Sequence, residues 1–309
     1  MGRYEVTIIG GGPGGLTAGL YTCRAGLKTL LMERRMFGGQ IVNAQRVENY
    51  PGFPEGISGL ELGELMHQQA TKYGLEAITA EATAIEGGDT YSVLTSAGGF
   101  ETDAVIIAAG SEHVRLGVAG EEKFLGRGVS YCATCDGFLF RDRDLAVVGG
   151  GDAAITDALE LSQHATRVYI IHRRDQLRAG QVLQRQAFAQ PKLEFIWDTI
   201  VEDITGEGAV SRLKLRNVKT GKTSTLQVAG VFVAIGLQPN SQCFGNMVHL
   251  DEVGRIVTDE SMATSASGIF AVGDIRRNSA RQVASAVGDG ATAAMSVFKY
   301  LQERNRRLK

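Results

Sequence analysis

The sequence predicts an α/β protein of two three-layer, Rossmann-like lobes, the second inserted into the first. Three observations predict it. Two glycine-rich turns each follow a short apolar run: Gly10-Gly11-Gly12-Pro13-Gly14-Gly15 after Val6-Thr7-Ile8-Ile9, and Gly149-Gly150-Gly151-Asp152-Ala153-Ala154 after Leu145-Ala146-Val147-Val148. The surrounding pattern repeats weakly at an offset of about 140 residues, as expected of two related lobes. The C-terminal segment holds one apolar run and a long helical pattern but no glycine-rich turn, so it cannot bury its apolar face alone and is assigned back to lobe one.

In lobe one, residues 4–9 read as a buried strand and 14–25 as a helix opening under the glycines. Lys28 to Met32 reads as a second strand ending at Glu33, which completes a βαβ unit. Leu62, Leu65, Met66 and Gln69 fall at helical spacing within 60–73. Residues 75–102 alternate and carry Gly87-Gly88 and Gly98-Gly99, which suggests short antiparallel strands. Ala104 to Gly110 is an apolar strand closing the lobe. Lobe two repeats the plan: a strand at 145–148, a helix at 152–164, a strand at 167–171 and a helix near 178–189. Strands follow near 193–197, 210–218 and 223–228, and Val231 to Gly236 mirrors the strand that closes lobe one. After Pro239 come a loop, the strand Gly268 to Asp274 and a helix from about 281 to 303. The expected domains are residues 1–116 with 244–309, and 117–243.

The 309 residues suffice for two domains, and the composition, 44% hydrophobic and 21% charged, is that of a globular protein. A net charge of −2 offers no field for nucleic acid. The basic tail, Glu303 to Lys309, reads as a solvated helix end. No apolar run approaches the roughly 18–20 residues of a membrane span, and no signal peptide precedes the first strand, so a cytoplasmic protein is expected.

Of the four cysteines, Cys132 and Cys135 stand three apart, while Cys23 and Cys243 stand alone. A reducing compartment argues against a structural disulfide framework and for redox work by the close pair. Zinc would need two further ligands at suitable spacing, and no metal site is expected. The Cys-x-x-Cys spacing permits an intrachain disulfide and often depresses one thiol pKa. Asp136 follows directly. Reducing a disulfide takes protons as well as electrons, so a carboxyl beside the pair can shuttle one, or it can serve merely as a turn or cap residue.

A glycine-rich turn between strand and helix binds pyrophosphate, because free N–H groups at the helix start face the anion and the glycines let it approach. Glu33, at the end of lobe one's second strand, can accept bonds from ribose hydroxyls. The matching place in lobe two holds His172-Arg173-Arg174, with Arg178 one turn further on. An arginine pair clamps a 2′-phosphate that an acid would repel. Lobe one therefore suits the adenosine of FAD, and lobe two suits NADPH over NADH.

The residues also resemble a known family. The segments GGGPGG at 10–15, GGQI at 38–41, ENYPGFP at 48–54, GRGVSYCATCDGF at 126–138 and GGGDAA at 149–154 are similar to those of the low-molecular-weight thioredoxin reductases, bacterial and archaeal flavoproteins of the class II pyridine nucleotide-disulfide oxidoreductases. So are HRRDQLRA at 172–179, FVAIGLQPN at 232–240, GIFAVGD at 268–274 and RQVASAVGDG at 281–290.

The resemblance implies an enzyme, a thioredoxin-disulfide reductase passing electrons from NADPH to FAD, to Cys132–Cys135 and to thioredoxin, and working as a homodimer. It implies FAD contacts at Gly10, Gly12, Pro13, Gly15, Glu33, Gly39, Gln40, Asn49, Gly110, Asp274, Arg281, Gln282 and Val283. NADPH contacts are expected at Gly149, Gly151, Asp152, Ala153, His172, Arg173, Arg174, Arg178, Ile235 and Gly236. Asp136 becomes the acid/base, and Cys135 the sulfur nearer the flavin. Thr156 and Asp157 stand where relatives usually carry two glutamates. The same fold fed by ferredoxin or a deazaflavin, or serving another thiol protein, stays open, though relatives using such donors have typically lost the arginine clamp. Because lobe two carries both the cysteines and the second nucleotide site, a hinge at Gly117–Gly120 and Pro239–Cys243 is expected.

Overall fold

The computed structural model describes residues 2–44, 46–88, 90–95 and 98–307. The chain divides into two compact units, Met1–Glu112 with Gln238–Lys309, and His113–Leu237. Unit 1 begins with β1 (Arg3–Ile9), α1 (Pro13–Arg24), β2 (Thr29–Glu33), α2 (Gly59–Lys72), β3 (Glu76–Thr79), β4 (Ala82–Gly87), β5 (Tyr91–Thr95) and β6 (Gly98–Ile107). The crossing strand β7 (Ser111–His113) follows. Unit 2 holds β8 (Val129–Ser130), α3 (Ala133–Asp136), β9 (Asp144–Val148), α4 (Asp152–Leu161), β10 (Arg167–Ile171) and α5 (Gln181–Ala189). It continues with β11 (Leu193–Ile196), β12 (Thr199–Thr205), β13 (Arg212–Asn217), β14 (Thr223–Gln227) and β15 (Gly230–Val233). The return crossing is β16 (Leu237–Pro239), and unit 1 closes with β17 (Ile269–Ala271) and α6 (Val283–Arg307).

The main sheet of unit 1 runs β3-β2-β1-β6-β5-β4, with β17 also on β6. Its central strands are parallel and buried on both faces, which is why β1, β2 and the end of β6 read as unbroken apolar runs rather than alternating ones. One apolar layer gathers Ile9, Met32, Ile107 and Ile269, the other Ile8, Leu16, Leu31, Ile106 and Val297.

Two expectations are corrected here. β3 pairs parallel to β2, extending the main sheet instead of joining an antiparallel set. The last part of the alternating stretch and the apolar run after it are one strand, β6: its first half pairs antiparallel with β5 and its second half parallel with β17. No turn residue separates the halves, and Thr102, at the join, is buried. Asp89, Ser96 and Ala97, within the stretch read as antiparallel strands, lie outside the described residues, as do Leu308 and Lys309 of the basic tail.

Unit 2 has the parallel order β11-β10-β9-β15-β8 and a separate antiparallel sheet β12-β13-β14. The alternation of Thr199–Thr205 makes a half-buried strand that the sequence reading passed over. Gly117 and Gly120 are both held within this unit. The Gly117 N–H bonds Glu121 at 2.8 Å, and a Cβ on Gly120 would meet the Ile204 carbonyl at 1.9 Å. Glu121 is the tie: only 4% exposed, it accepts the N–H groups of Leu116 and Gly117 and the Tyr131 hydroxyl. Among the described residues no helix is long and apolar enough to cross a membrane.

Candidate active site

The first glycine-rich turn is shaped by backbone contact. Gly10 sits at φ +110°, and a Cβ there would lie 2.3 Å from the Ala108 carbonyl. A Cβ on Gly15 would lie 2.0 Å from the Gly10 carbonyl, so only glycine lets α1 start this close to β1. Pro13 takes the first helical turn, where its missing N–H costs nothing, and no side chain caps α1. The cradle is therefore open to an anion. Glu33 supports it from the end of β2: one carboxylate oxygen accepts the Gly11 N–H at 2.7 Å, the other the Arg35 N–H at 3.0 Å. Each oxygen keeps a lone pair for a further donor.

The other residues expected around FAD converge within unit 1. Gly39 backs onto Gly12, where a Cβ on Gly39 would lie 2.9 Å from Gly12 Cα. The Asn49 amide donates to Gln282 at 3.1 Å across 233 residues of sequence. Gln40 donates to the Ser111 carbonyl at 3.4 Å, and the Ser111 hydroxyl donates to the Asp274 carbonyl at 2.8 Å. Burial pushes the Asp274 carboxyl above the usual range, while Ser279 and Arg281 draw it down. Gly110 faces open space, Arg281 is exposed at φ +57°, and Val283 packs on the small apolar group of Val47, Ile57 and Leu62.

Sequence reasoning missed what holds Asp274 in place. Asp289 on α6 receives Arg276 Nε at 2.5 Å, Arg276 Nη2 at 2.7 Å and the Gly273 N–H at 2.9 Å. Asp289 lies inside the quoted segment at 281–290 and Arg276 outside any, and no spacing marks either of them. Ser111 was missed for the same reason.

In unit 2 the second turn repeats the plan. Gly149 stands at φ +153°, with a Cβ position 2.4 Å from the Ala234 carbonyl, while Gly151 faces open space. Asp152 and Ala153 start α4 exposed, and Asp152 accepts the Gly180 N–H at 2.7 Å. His172 is buried with its ring against Gly150, and burial pulls its pKa down. The ring is thus a neutral support for the loop, and the charge lies with its neighbours. Arg173, Arg174 and Arg178 are exposed, and none of their guanidinium groups has a hydrogen bond or ion pair among the described residues. Lys219 neutralises Asp175 beside them, at 2.8 Å. Ile235 is half-buried, and Gly236 is exposed at φ +148°.

Cys132 and Cys135 are joined by a disulfide, with 5.3 Å between their Cα atoms. Cys132 caps the four-residue helix α3, its sulfur 3.2 Å from the Cys135 N–H. The Asp136 carboxylate accepts the Ser130 hydroxyl at 2.6 Å. Burial pushes Asp136 up, and the Ser130 bond pulls it back. A carboxyl raised in this way keeps its proton to higher pH than a free one does. Thr134 donates to Glu160 on α4 at 2.9 Å, which fastens the helix from the other side. Cys23 and Cys243 are free thiols, both pushed up by burial, and neither joins this site.

On α4, Thr156 is exposed and Asp157 is half-buried, with its pKa pushed up to about 6 by burial and then by Glu160. A raised carboxyl favours the fold fully below its unfolded value and loses that contribution as pH rises through the folded one. Wild-type stability should therefore decline between about pH 4 and pH 6. Asp157→Asn should gain about 1–2 kcal/mol at pH 7.5 and nothing at pH 4, read by urea unfolding at both pH values. An equal gain at both would rule burial of the charge out as the cause.

The family model for pyridine nucleotide-disulphide oxidoreductases matches residues 4–290. The chain is 47% identical over 302 residues to the thioredoxin reductase of Listeria monocytogenes, covering 97% of this chain and 94% of that one. It is 46% identical over 308 residues to the thioredoxin reductase of Bacillus subtilis, covering 99% and 97%. The crystal structure of thioredoxin reductase from Streptococcus pyogenes superposes with a TM-score of 0.94 at 46% identity, over 97% of this chain and 99% of that one.

Proposed function

The chain belongs to the pyridine nucleotide-disulphide oxidoreductase family, and from that membership we propose that it is a thioredoxin reductase. Its Cys132–Cys135 dithiol reduces thioredoxin and is restored from NADPH through FAD. The observation that carries this reading is the disulfide with Asp136 beside it, in the same unit as a glycine-rich turn and three exposed arginines. Flavin and pyridine nucleotide use goes with the family. FAD fits unit 1: Gly10 and Gly15 let α1 start close to β1, Gly12 would leave room for a pyrophosphate, Glu33 would accept from the adenosine ribose, and Asp274, Asn49 and Gln282 would supply polar groups. NADPH fits unit 2, where Arg173, Arg174 and Arg178 would hold the 2′-phosphate. When bound, the two groups supply the electron pair that opens the disulfide.

The protein's own chemistry is thiol exchange. One thiolate attacks a sulfur of the partner's disulfide and forms a mixed disulfide, and a partner thiolate leaves. The second cysteine attacks the first, the Cys132–Cys135 bond re-forms, and the partner departs as a dithiol. Two electrons and two protons pass to the partner. Asp136 Oδ2, held by Ser130, is the place for one of those protons. Unit 2 bears both the disulfide and the nucleotide turn, so the two halves of the reaction call for two presentations of that unit. A homodimer in the cytoplasm completes the proposal, and light scattering reads its mass.

Anaerobic titration with NADPH, NADH and reduced ferredoxin, followed by thioredoxin, tests the reading. Only NADPH should bleach the flavin stoichiometrically, and thioredoxin should restore its colour. The arginines set this choice: replacing Arg173 and Arg174 together with alanine should weaken NADPH by roughly 2–4 kcal/mol through lost charge-assisted contacts. NADH binding should barely change. Calorimetric titration of both nucleotides measures it, and equal losses would defeat the clamp.

A further inference from the structure

We propose that Ser130 is a positioning residue that couples the proton on Asp136 to the peptide group of Cys132. The inference rests on the thiol-exchange function above and adds a residue to it. Ser130 ends β8 and is only 4% exposed. Its Oγ lies 2.6 Å from Asp136 Oδ2, 3.0 Å from the Cys132 nitrogen and 3.3 Å from the Cys132 carbonyl oxygen. One hydroxyl thus touches both the acid and the backbone of a redox cysteine.

A hydroxyl has one hydrogen to give and two lone pairs to fill. With Asp136 ionised, the hydrogen points to Oδ2, at a separation usual for a hydroxyl on a carboxylate, and Oγ accepts the Cys132 N–H. With Asp136 protonated, the carboxyl donates to Oγ instead. The Ser130 hydrogen is then displaced and turns to the Cys132 carbonyl. Both arrangements satisfy every group, so a rotation of one O–H bond tells Cys132 whether Asp136 holds its proton. The Asp136 N–H also bonds the Cys132 carbonyl, at 3.2 Å, which keeps the loop closed in either arrangement.

Other charges do not take this place. The turn Gly137–Phe140, packed against α3, carries none. Helix α4 brings Asp152, held by the Gly180 N–H, Glu160, held by Thr134, and Asp157. The Tyr131 hydroxyl, next in sequence to Ser130, is turned away onto Glu121. The Ser130 bond draws Asp136 down against the pull of burial, so its loss should let Asp136 rise further.

The test compares wild type, S130A, S130T, D136N and S130A/D136N over a pH series in two assays. One is NADPH-driven reduction of a bacterial thioredoxin. The other is the reaction of dithiothreitol-reduced protein with the small disulfide DTNB, followed by the released thiolate's absorbance. The pH limb that disappears in D136N is the one that reports Asp136. S130A should move that limb upward by about one pH unit and slow the reaction about tenfold. S130T, which keeps the hydroxyl, should return the limb to its wild-type position. In the D136N background, S130A should add no further loss.

A limb that stays in place in S130A, or S130A and D136N losses that multiply, would overturn the proposal. Should S130A fail to fold, Ser130→Gly removes the same hydroxyl and carries the comparison. A wild-type protein that reacts with DTNB but never with thioredoxin overturns the functional reading instead. The DTNB series still decides Ser130 in that case.

Discussion

Cys132→Ser and Cys135→Ser should each lower thioredoxin turnover by at least ~10³-fold, to background. Thiol exchange is a relay of two sulfurs. With only Cys132 left, a mixed disulfide with the partner has no neighbour to resolve it; with only Cys135 left, the same holds. The double variant should therefore lose no more than either single one, since the pair acts as one unit. Flavin bleaching by NADPH and reduction of small dyes do not pass through the sulfurs and should persist in all three variants. The free thiols Cys23 and Cys243 stand outside the site and offer no detour. Thioredoxin turnover in the double variant would sink the electron path proposed here.

Asp289→Ala should destabilise the protein by about 3–5 kcal/mol, the range for removing one partner of a buried ion pair. Arg276 and Asp289 side chains are 15% and 8% exposed, so little water replaces what is lost. The substitution strands a guanidinium and the Gly273 N–H together. Because Gly273 precedes Asp274, flavin retention should fall in step. Urea unfolding gives the first quantity, and flavin remaining after gel filtration the second. Adding Arg276→Met to Asp289→Ala should recover part of the stability, since it removes the unpaired charge. No recovery would mean that the loss comes from α6 packing.

The glycine-rich turns were legible in the sequence because their function and their sterics select the same residue. Gly10, Gly15 and Gly149 could not be otherwise where backbone meets backbone this closely. The apolar strands were legible because a parallel sheet buried on both faces leaves continuous apolar runs. Long-range polar pairings were not. Arg276–Asp289 and Ser111–Asp274 join residues whose separation follows no helical or strand period. Asn49–Gln282 emerged only as two separate contacts implied by the resemblance, and the structure adds that they bond each other. Ser130 lay inside a quoted segment yet carried no signal of its own, because a serine before a Cys-x-x-Cys looks like any turn residue. The unbroken β6 was hidden by a change of partner halfway along, from antiparallel to parallel. Nor was Glu121 legible, whose buried carboxylate holds the backbone at Leu116 and Gly117.

The crossing points have a consequence for how such a chain can be assembled and rearranged. Within unit 2 the Val114 N–H bonds the Gly236 carbonyl at 3.0 Å, so the two ends of the inserted segment are tied to each other. Within unit 1, Asn240 closes the opposite side: its N–H bonds the Gly110 carbonyl at 3.0 Å, and its amide bonds the Ala109 carbonyl at 2.8 Å. Each unit is thus sealed by its own hydrogen bonds at the splice. To unit 1 the insert costs the closure of a short loop, whatever its length, because the ends that must meet are already held together. A segment built this way is a cassette. Cut out and expressed alone, it should fold by itself and leave the host its sheet, which circular dichroism of each part would check.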